Sequence, residues 1–254
     1  MATDVPYVFG DNPYSSSYTS NQLEELRASS PDLAQVSPIN NVVSNPERFN
    51  SRVEPENPTV HDQALRFAGT SNGALTIGQI CSIYEYLRFG VPSTKGWIYV
   101  SDPRSGDYYE YSNESLKIGK DAGCTGKGDC DDFAIVMSSL MESIGGTTRI
   151  IFACGKDGCH AYTEVYLGTL NASNNQVMDI INSLKQAYGV DKIYVHIDPI
   201  TWDVWLNLDW WADHPGGNFF RGDTTGLFWI RNMYGKTPVT ASDIPLKDSM
   251  RFSK

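Results

Sequence analysis

Residues 126–146 read GKGDCDDFAIVMSSLMESIGG. Glycines at 119, 123, 126 and 128 mark a loop, and the chain changes character at Cys130. From there Phe133, Ala134, Val136, Met137, Leu140 and Met141 recur at helical spacing and give one broad apolar face. Gly145-Gly146 ends the run, as glycine does at helix C-termini. The segment predicts a helix over Cys130–Ile144 with a thiol in its first turn. The positive end of the helix dipole favours the thiolate there by only about 0.3–1 kcal/mol. Asp129, Asp131 and Asp132 oppose it. An imidazolium about 4 Å away would contribute about 4 kcal/mol at an effective dielectric near 20. A reactive Cys130 therefore requires a histidine partner. Without one it reads as a buried structural cysteine.

Outward from this helix, the pattern is helices first and strands later. His61–Ala68 and Ile77–Phe89 read as helices, and GWIYVSDP (96–103) as a strand ending in a turn. Tyr108-Tyr109-Glu110-Tyr111 reads as an edge or loop. Thr147–Ala153 and His160–Leu167 read as strands, and Gln176–Tyr188 as an inserted helix. Lys192–Ile197, Asp203–Asp209 and Gly226–Met233 resume the strands. This order predicts an α+β fold, with the thiol-bearing helix packed on a largely antiparallel sheet. Residues 1–59, rich in Pro, Asn and Ser, read as an extended and partly irregular arm with one short helix at Asn21–Ala28. Residues 60–254 read as the compact domain.

The composition bounds the partners. A formal net charge of −10 repels phosphate backbones, which argues against nucleic acid and anionic membrane. No apolar run is long enough to span a bilayer, and MATDVPYVFGDNPYSSS lacks the form of a signal peptide. A soluble chain is expected, outside the cytoplasm if a leader has been removed. The cysteines are Cys81, Cys124, Cys130, Cys154 and Cys159, an odd count that fits one free thiol with up to two disulfides, or five reduced thiols. Cys154 and Cys159 flank a glycine-containing turn and are expected to lie close, with Cys124 as a competing partner for either. The spacings C-x5-C and C-x4-C-H do not match paired zinc motifs, so no metal or cofactor is expected. Asp129, Asp131 and Asp132 resemble calcium ligands but lack an EF-hand loop.

Two further residues carry chemistry. In a strand over CHAYTEVYL, His160, Tyr162, Glu164 and Tyr166 share one face, and Ala161, Thr163, Val165 and Leu167 the better core face. His160 also reads as a surface histidine if nothing partners it. Asp209 ends the strand-like WLNL among Trp205, Trp210 and Trp211, where a shielded carboxylate could hold a histidine ring in one tautomer. Asp198, Asp203 and Asp213 are its rivals.

Together GDCDDFAIVMSSLMESIGGTTRII (128–151), GCHAYTEVYLG (158–168) and WLNLDWWADHPGG (205–217) resemble the transglutaminase-like superfamily, notably its archaeal and bacterial members. The upstream WIYVSDP (97–103) is similar too, and the resemblance covers roughly residues 60–220. It implies a papain-like core with a Cys-His-Asp triad at Cys130, His160 and Asp209, and Trp97 as a candidate oxyanion donor. It implies cysteine-dependent acyl transfer at an amide of a protein or peptide through a thioester. Hydrolysis by a protease or amidase is the expected outcome. The alternatives are glutamine γ-glutamyl transfer, which cross-links, and a non-catalytic binding module.

Overall fold

The computed structural model describes residues 50–69, 75–102, 108–155, 158–170, 176–197, 201–220, 223–230 and 235–244. The expected helix at Asn21–Ala28, and the arm up to residue 49, lie outside the described residues. Helix α1 (Pro58–Ala68) starts at Asn57, whose side chain accepts from the Thr59 N–H at 3.0 Å. Helix α2 (Ile77–Phe89) starts with a capping box between Thr76 and Gln79. The two-residue strands β1 (Gly90–Val91) and β2 (Thr94–Lys95) form a tight antiparallel pair. Strand β3 (Ile98–Tyr99) is shorter than WIYV suggests and pairs parallel with β4 (Lys127–Gly128), immediately before the thiol-bearing helix.

Helix α3 (Ser112–Asp121) follows the Tyr108–Tyr111 run and is absent from the sequence reading. Gly119 hid it. That glycine looks like a loop residue but lies inside the helix, where a Cβ would come within 2.4 Å of the Gly126 Cα. It is small because two backbones meet there, not because the chain turns.

Helix α4 (Cys130–Ser143) packs on a five-stranded sheet of order β7-β8-β6-β5-β9, antiparallel throughout. Its strands are β5 (Thr148–Gly155), β6 (Gly158–Thr169), β7 (Val195–Ile197), β8 (Asp203–Asn207) and β9 (Asp223–Ile230). Helix α5 (Gln176–Tyr188) is inserted between β6 and β7. The fold is thus α+β, with mixed helices and an antiparallel sheet. β9 starts ahead of the expected Gly226, and residues 231–233 lie outside the described residues. No helix among the described residues is long and apolar enough to cross a membrane.

The two faces of the sheet differ. On the helix face Ile150, Phe152 and Ala161 pack with Ala134 and Ile135 of α4, and Val165, Leu167, Val204 and Leu206 join the main core. On the opposite face Ile151, Ala153 and Tyr162 are covered by Phe219 and Phe220. The alternation along β6 follows the sequence reading. Before α1, Val53 packs with Ala134 and Ile135, and the Glu54 N–H donates to Ser139 Oγ at 3.0 Å. The compact body therefore includes residues ahead of Val60.

Alanine is the better helix former by about 1 kcal/mol. Even so, Gly119→Ala is expected to lower stability by about 1–3 kcal/mol, as overpacking does. Urea denaturation reads this directly. Equal or higher stability would mean that α3 does not meet the Gly126 loop.

Candidate active site

Helix α4 begins at Asp129 with a reciprocal cap. The Asp129 carboxylate accepts from the N–H groups of Asp131, at 3.2 Å, and Asp132, while Asp132 accepts from the Asp129 N–H at 3.3 Å. Asp132 also accepts from the Glu110 N–H at 2.9 Å, tying the segment before α3 to the helix start. Gly128 lies beneath this cap at φ +155°, where a Cβ would fall 2.2 Å from Asp132 Oδ2. The Phe133 N–H donates to the Asp129 carbonyl at 3.2 Å. Among the described residues, the Cys130 N–H finds no acceptor.

The backbone N–H of Ala161, the residue after His160, lies close enough to the Cys130 thiol to favour its thiolate. The strand pairing explains why that N–H is available. Thr163 accepts from the Leu208 N–H at 2.9 Å, so the backbone groups of Thr163 and Ala161 point away from β5 and toward β8. The β8 ladder stops at Glu164 opposite Asn207, which leaves Ala161 facing an open edge. Burial pushes the Cys130 thiol up to about 12. The Ala161 N–H works against this, while Asp129, Asp131 and Asp209 add to it.

His160 and Asp209 meet in a buried pair, with His160 Nε2 at 2.7 Å from Asp209 Oδ1. An ionised carboxylate only accepts, so Nε2 carries the hydrogen and Nδ1 is the basic nitrogen. His160 is 6% exposed and Asp209 0%. Asp209 Oδ1 also accepts from the Trp211 N–H at 2.9 Å, and the Asp209 N–H donates to Asn207 Oδ1 at 3.0 Å. Asn207 in turn donates to the Gly217 carbonyl at 2.9 Å, and the Tyr84 hydroxyl to the Asp209 carbonyl at 2.9 Å. Asp209 Oδ2 is buried with no hydrogen-bond partner among the described residues. Such an oxygen is costly to bury without a partner.

The rival acids stand elsewhere. Asp203 binds Thr169, Thr201 and Lys236 at the opposite end of β8. Asp213 is exposed. Asp198 lies outside the described residues. The Trp97 indole, expected to be free for an oxyanion, donates instead to the Gly128 carbonyl at 3.1 Å and packs edge-on against Phe133. It braces the turn into α4. Tyr99 lies within electrostatic reach of Cys130, and burial, with that thiol and Asp129 beside it, raises its hydroxyl to about 12. Phe220 covers the His160 ring at 4.6 Å between centroids. Neither Phe220 nor the Ala161 N–H was foreseen, because each depends on where β8 stops pairing.

The cysteines separate by environment. Cys81 and Cys124 are buried free thiols, while Cys130 is free and half-buried. Cys159 is disulfide-bonded, which removes it from any thiolate set for zinc, and its register partner across the β5–β6 pair is Cys154. The carboxylates of Asp129, Asp131 and Asp132 lie within 4.8 Å of one another, but Asp129 and Asp132 are engaged by the cap.

Residues 78–199 match the family model described as the transglutaminase-like superfamily. The match spans α2 through β7 and includes Cys130 and His160, and it ends before Asp209. Comparison with curated proteins and with solved structures gives no significant match.

Burial and neighbouring acids hold the Asp131 carboxyl well above the ordinary carboxylate range, and burial lifts Asp132 to about 7. A carboxyl raised on folding stabilises at low pH, and that contribution is lost as pH rises above its unfolded value near 4. Asp131→Asn mimics the neutral form. It is expected to raise the melting temperature by a few degrees at pH 8 and to leave it unchanged near pH 3, below both values. Thermal melts at the two pH values test this. An equal shift at both would show that Asp131 is not strained by its charge.

Proposed function

From the membership of residues 78–199 in the transglutaminase-like superfamily, we propose that the chain is a cysteine-dependent enzyme acting at amide bonds of proteins or peptides, with hydrolysis as its outcome. The observation that carries this reading is the buried His160–Asp209 bond, one residue from the N–H that touches the Cys130 thiol.

The chemistry follows from the protonation states. With its thiol raised to about 12, Cys130 is neutral at pH 7 until a base takes the proton. His160 Nδ1 accepts it, and Asp209 stabilises the resulting imidazolium. The thiolate attacks the amide carbonyl, and the unoccupied Cys130 N–H at the helix start donates to the oxyanion. The imidazolium then gives its proton to the amide nitrogen, the C–N bond breaks, and a thioester remains. Water attacks the thioester carbonyl as His160 takes its proton. That proton returns to sulfur as the C–S bond breaks, releasing the acid. Trp97 acts as a positioning residue through Gly128.

Hydrolysis is preferred because water at about 55 M needs no binding site, whereas transfer to an amine requires water to be excluded from the thioester. An acidic protein also attracts basic peptides, whichever product results.

Three outcomes test this. Iodoacetamide is expected to label Cys130 ahead of Cys81 and Cys124, and His160→Ala to slow that labelling. On a peptide substrate, Asp209→Asn is expected to lower kcat by as much as about 10⁴-fold, with Asp203→Asn close to wild type. Acylated Cys130 is expected to release mainly the acid in millimolar amine, as read by mass spectrometry. Dominance of the amide product would make the enzyme a transferase.

A further inference from the structure

A cleft of about 880 Å³ lies against the catalytic pair and is lined by residues 189–192, 194, 211–214 and 217–220. Two of its residues touch the pair itself. Phe220 covers the His160 ring, and Trp211 donates its backbone N–H to Asp209. Phe219, beside Phe220, stacks on His196 at 4.2 Å between centroids. Both phenylalanines belong to the sheet face opposite α4, whereas Cys130 packs in the cluster on the helix face. The cleft therefore opens on the His160 side of the site, across the sheet from the thiol.

That placement decides which half of an amide substrate can use it. The acyl half becomes bonded to the Cys130 sulfur. The amine nitrogen must lie within reach of His160 to receive its proton. The chain leading away from that nitrogen then runs past Phe220 into the cleft. An amine entering to attack the thioester retraces the same route, so the assignment holds for hydrolysis and for transfer.

The charges select what binds there. Asp191 and Lys192 are sequence neighbours in the lining, both exposed, and offset each other. Asp213 remains, exposed and without an ion-pair partner among the described residues, and within electrostatic reach of Tyr84, whose hydroxyl bonds the Asp209 carbonyl. Burial keeps His214 below the ordinary histidine range, so it adds no cation at neutral pH. Trp211, 63% exposed, presents an aromatic surface two residues from Asp213. A carboxylate and an open indole in the wall of one cleft suit a lysine or arginine side chain, through charge and cation–π attraction together. A volume of this size accommodates a short peptide segment rather than a single side chain.

We propose that this cleft binds the amine half of the substrate, a peptide segment whose lysine or arginine side chain lies between Asp213 and Trp211. The proposal rests on the reading of Cys130, His160 and Asp209 as the reacting groups.

Cys130→Ala protein, which cannot form a thioester, isolates binding from turnover. The probes are three N-acetylated, C-amidated glycine pentapeptides with arginine, glutamine or glutamate at the centre, titrated by isothermal calorimetry with tryptophan fluorescence in parallel. The arginine peptide is expected to bind about five- to tenfold tighter than the glutamine one, with glutamate weakest. The preference shrinks in 0.5 M salt. Adding Asp213→Asn is expected to erase most of it, Asp191→Asn little, and Trp211→Ala to weaken the arginine peptide most. These three side chains are exposed, and unchanged thermal melts confirm that the variants fold. Equal affinity for all three peptides, no measurable binding, or an arginine preference that survives Asp213→Asn overturns the proposal. The catalytic reading fails separately. A charge preference in a protein whose wild-type form cleaves and transfers nothing supports the cleft and sinks the chemistry. Turnover indifferent to the charge of the amine half sinks the cleft alone.

Discussion

Asp132 accepts two backbone hydrogen bonds, from Asp129 and Glu110, and much of the site depends on that carboxylate. The bond from Asp129 closes the cap that starts α4 and sets the direction of the Cys130 N–H. The bond from Glu110 fixes the chain entering α3, and α3 meets the loop ahead of β4 at the Gly119–Gly126 contact. Trp97 secures the same turn from beneath through the Gly128 carbonyl. Gly128 is required because any side chain there would occupy the Asp132 position. Disturbing one of these contacts moves the others, and with them the thiol. A cysteine on a freely rotating loop would have no such fixed relation to a base on a distant strand.

The second half of the site arises from an interruption in the sheet. β6 continues beyond the point where β8 stops pairing, at Glu164 opposite Asn207. Past that point the backbone N–H of Ala161 is free to meet the thiol. The chain leaving β8 turns under control of Asn207, which accepts from Asp209 and donates to Gly217. This turn delivers the Asp209 carboxylate to His160 and carries Trp211, Phe219 and Phe220 to the rim. One asparagine thus links the orientation of the acid to the wall of the adjoining cleft. Further along the same sheet face Glu164 is buried between Arg149 and His196. Its carboxyl lies below the ordinary range, because those two cations outweigh burial. Asp209 has one side-chain partner, the His160 ring, and an oxygen left without a hydrogen bond among the described residues.

How much of this could be read from the sequence depended on whether a feature was local. The α4 start is local. Its glycine loop, acidic residues and apolar spacing all lie within residues 126–146, and the helix ends one residue before the predicted boundary. The alternation along β6 was legible for the same reason. Helix α3 was not, because Gly119 reports contact with a segment whose proximity only the fold establishes. Asp209 among its rivals was only partly legible. Nothing within WLNLDWW distinguishes it from Asp203 except which end of β8 faces His160. The partner of the Trp97 indole was not legible because Gly128, its acceptor, is a backbone group thirty-one residues away.

The acidic cap and the raised thiol belong to one electrostatic problem. Asp129, Asp131 and Asp209 all disfavour a thiolate at Cys130, and burial disfavours it further. The helix dipole and a single backbone N–H offer too little to reverse that, since the dipole contributes about 0.3–1 kcal/mol. A standing thiolate–imidazolium pair is therefore not the resting state this environment favours. Ionised carboxylates such as Asp129 and Asp209 favour an imidazolium close by, and Asp209 is in direct contact with the ring. In the reaction proposed above, proton transfer to His160 becomes favourable as sulfur bonds to carbon and its negative charge passes to the carbonyl oxygen at the Cys130 N–H. On that proposal, burial and the acidic surroundings keep the thiol protonated until a substrate carbonyl is in place to receive the charge.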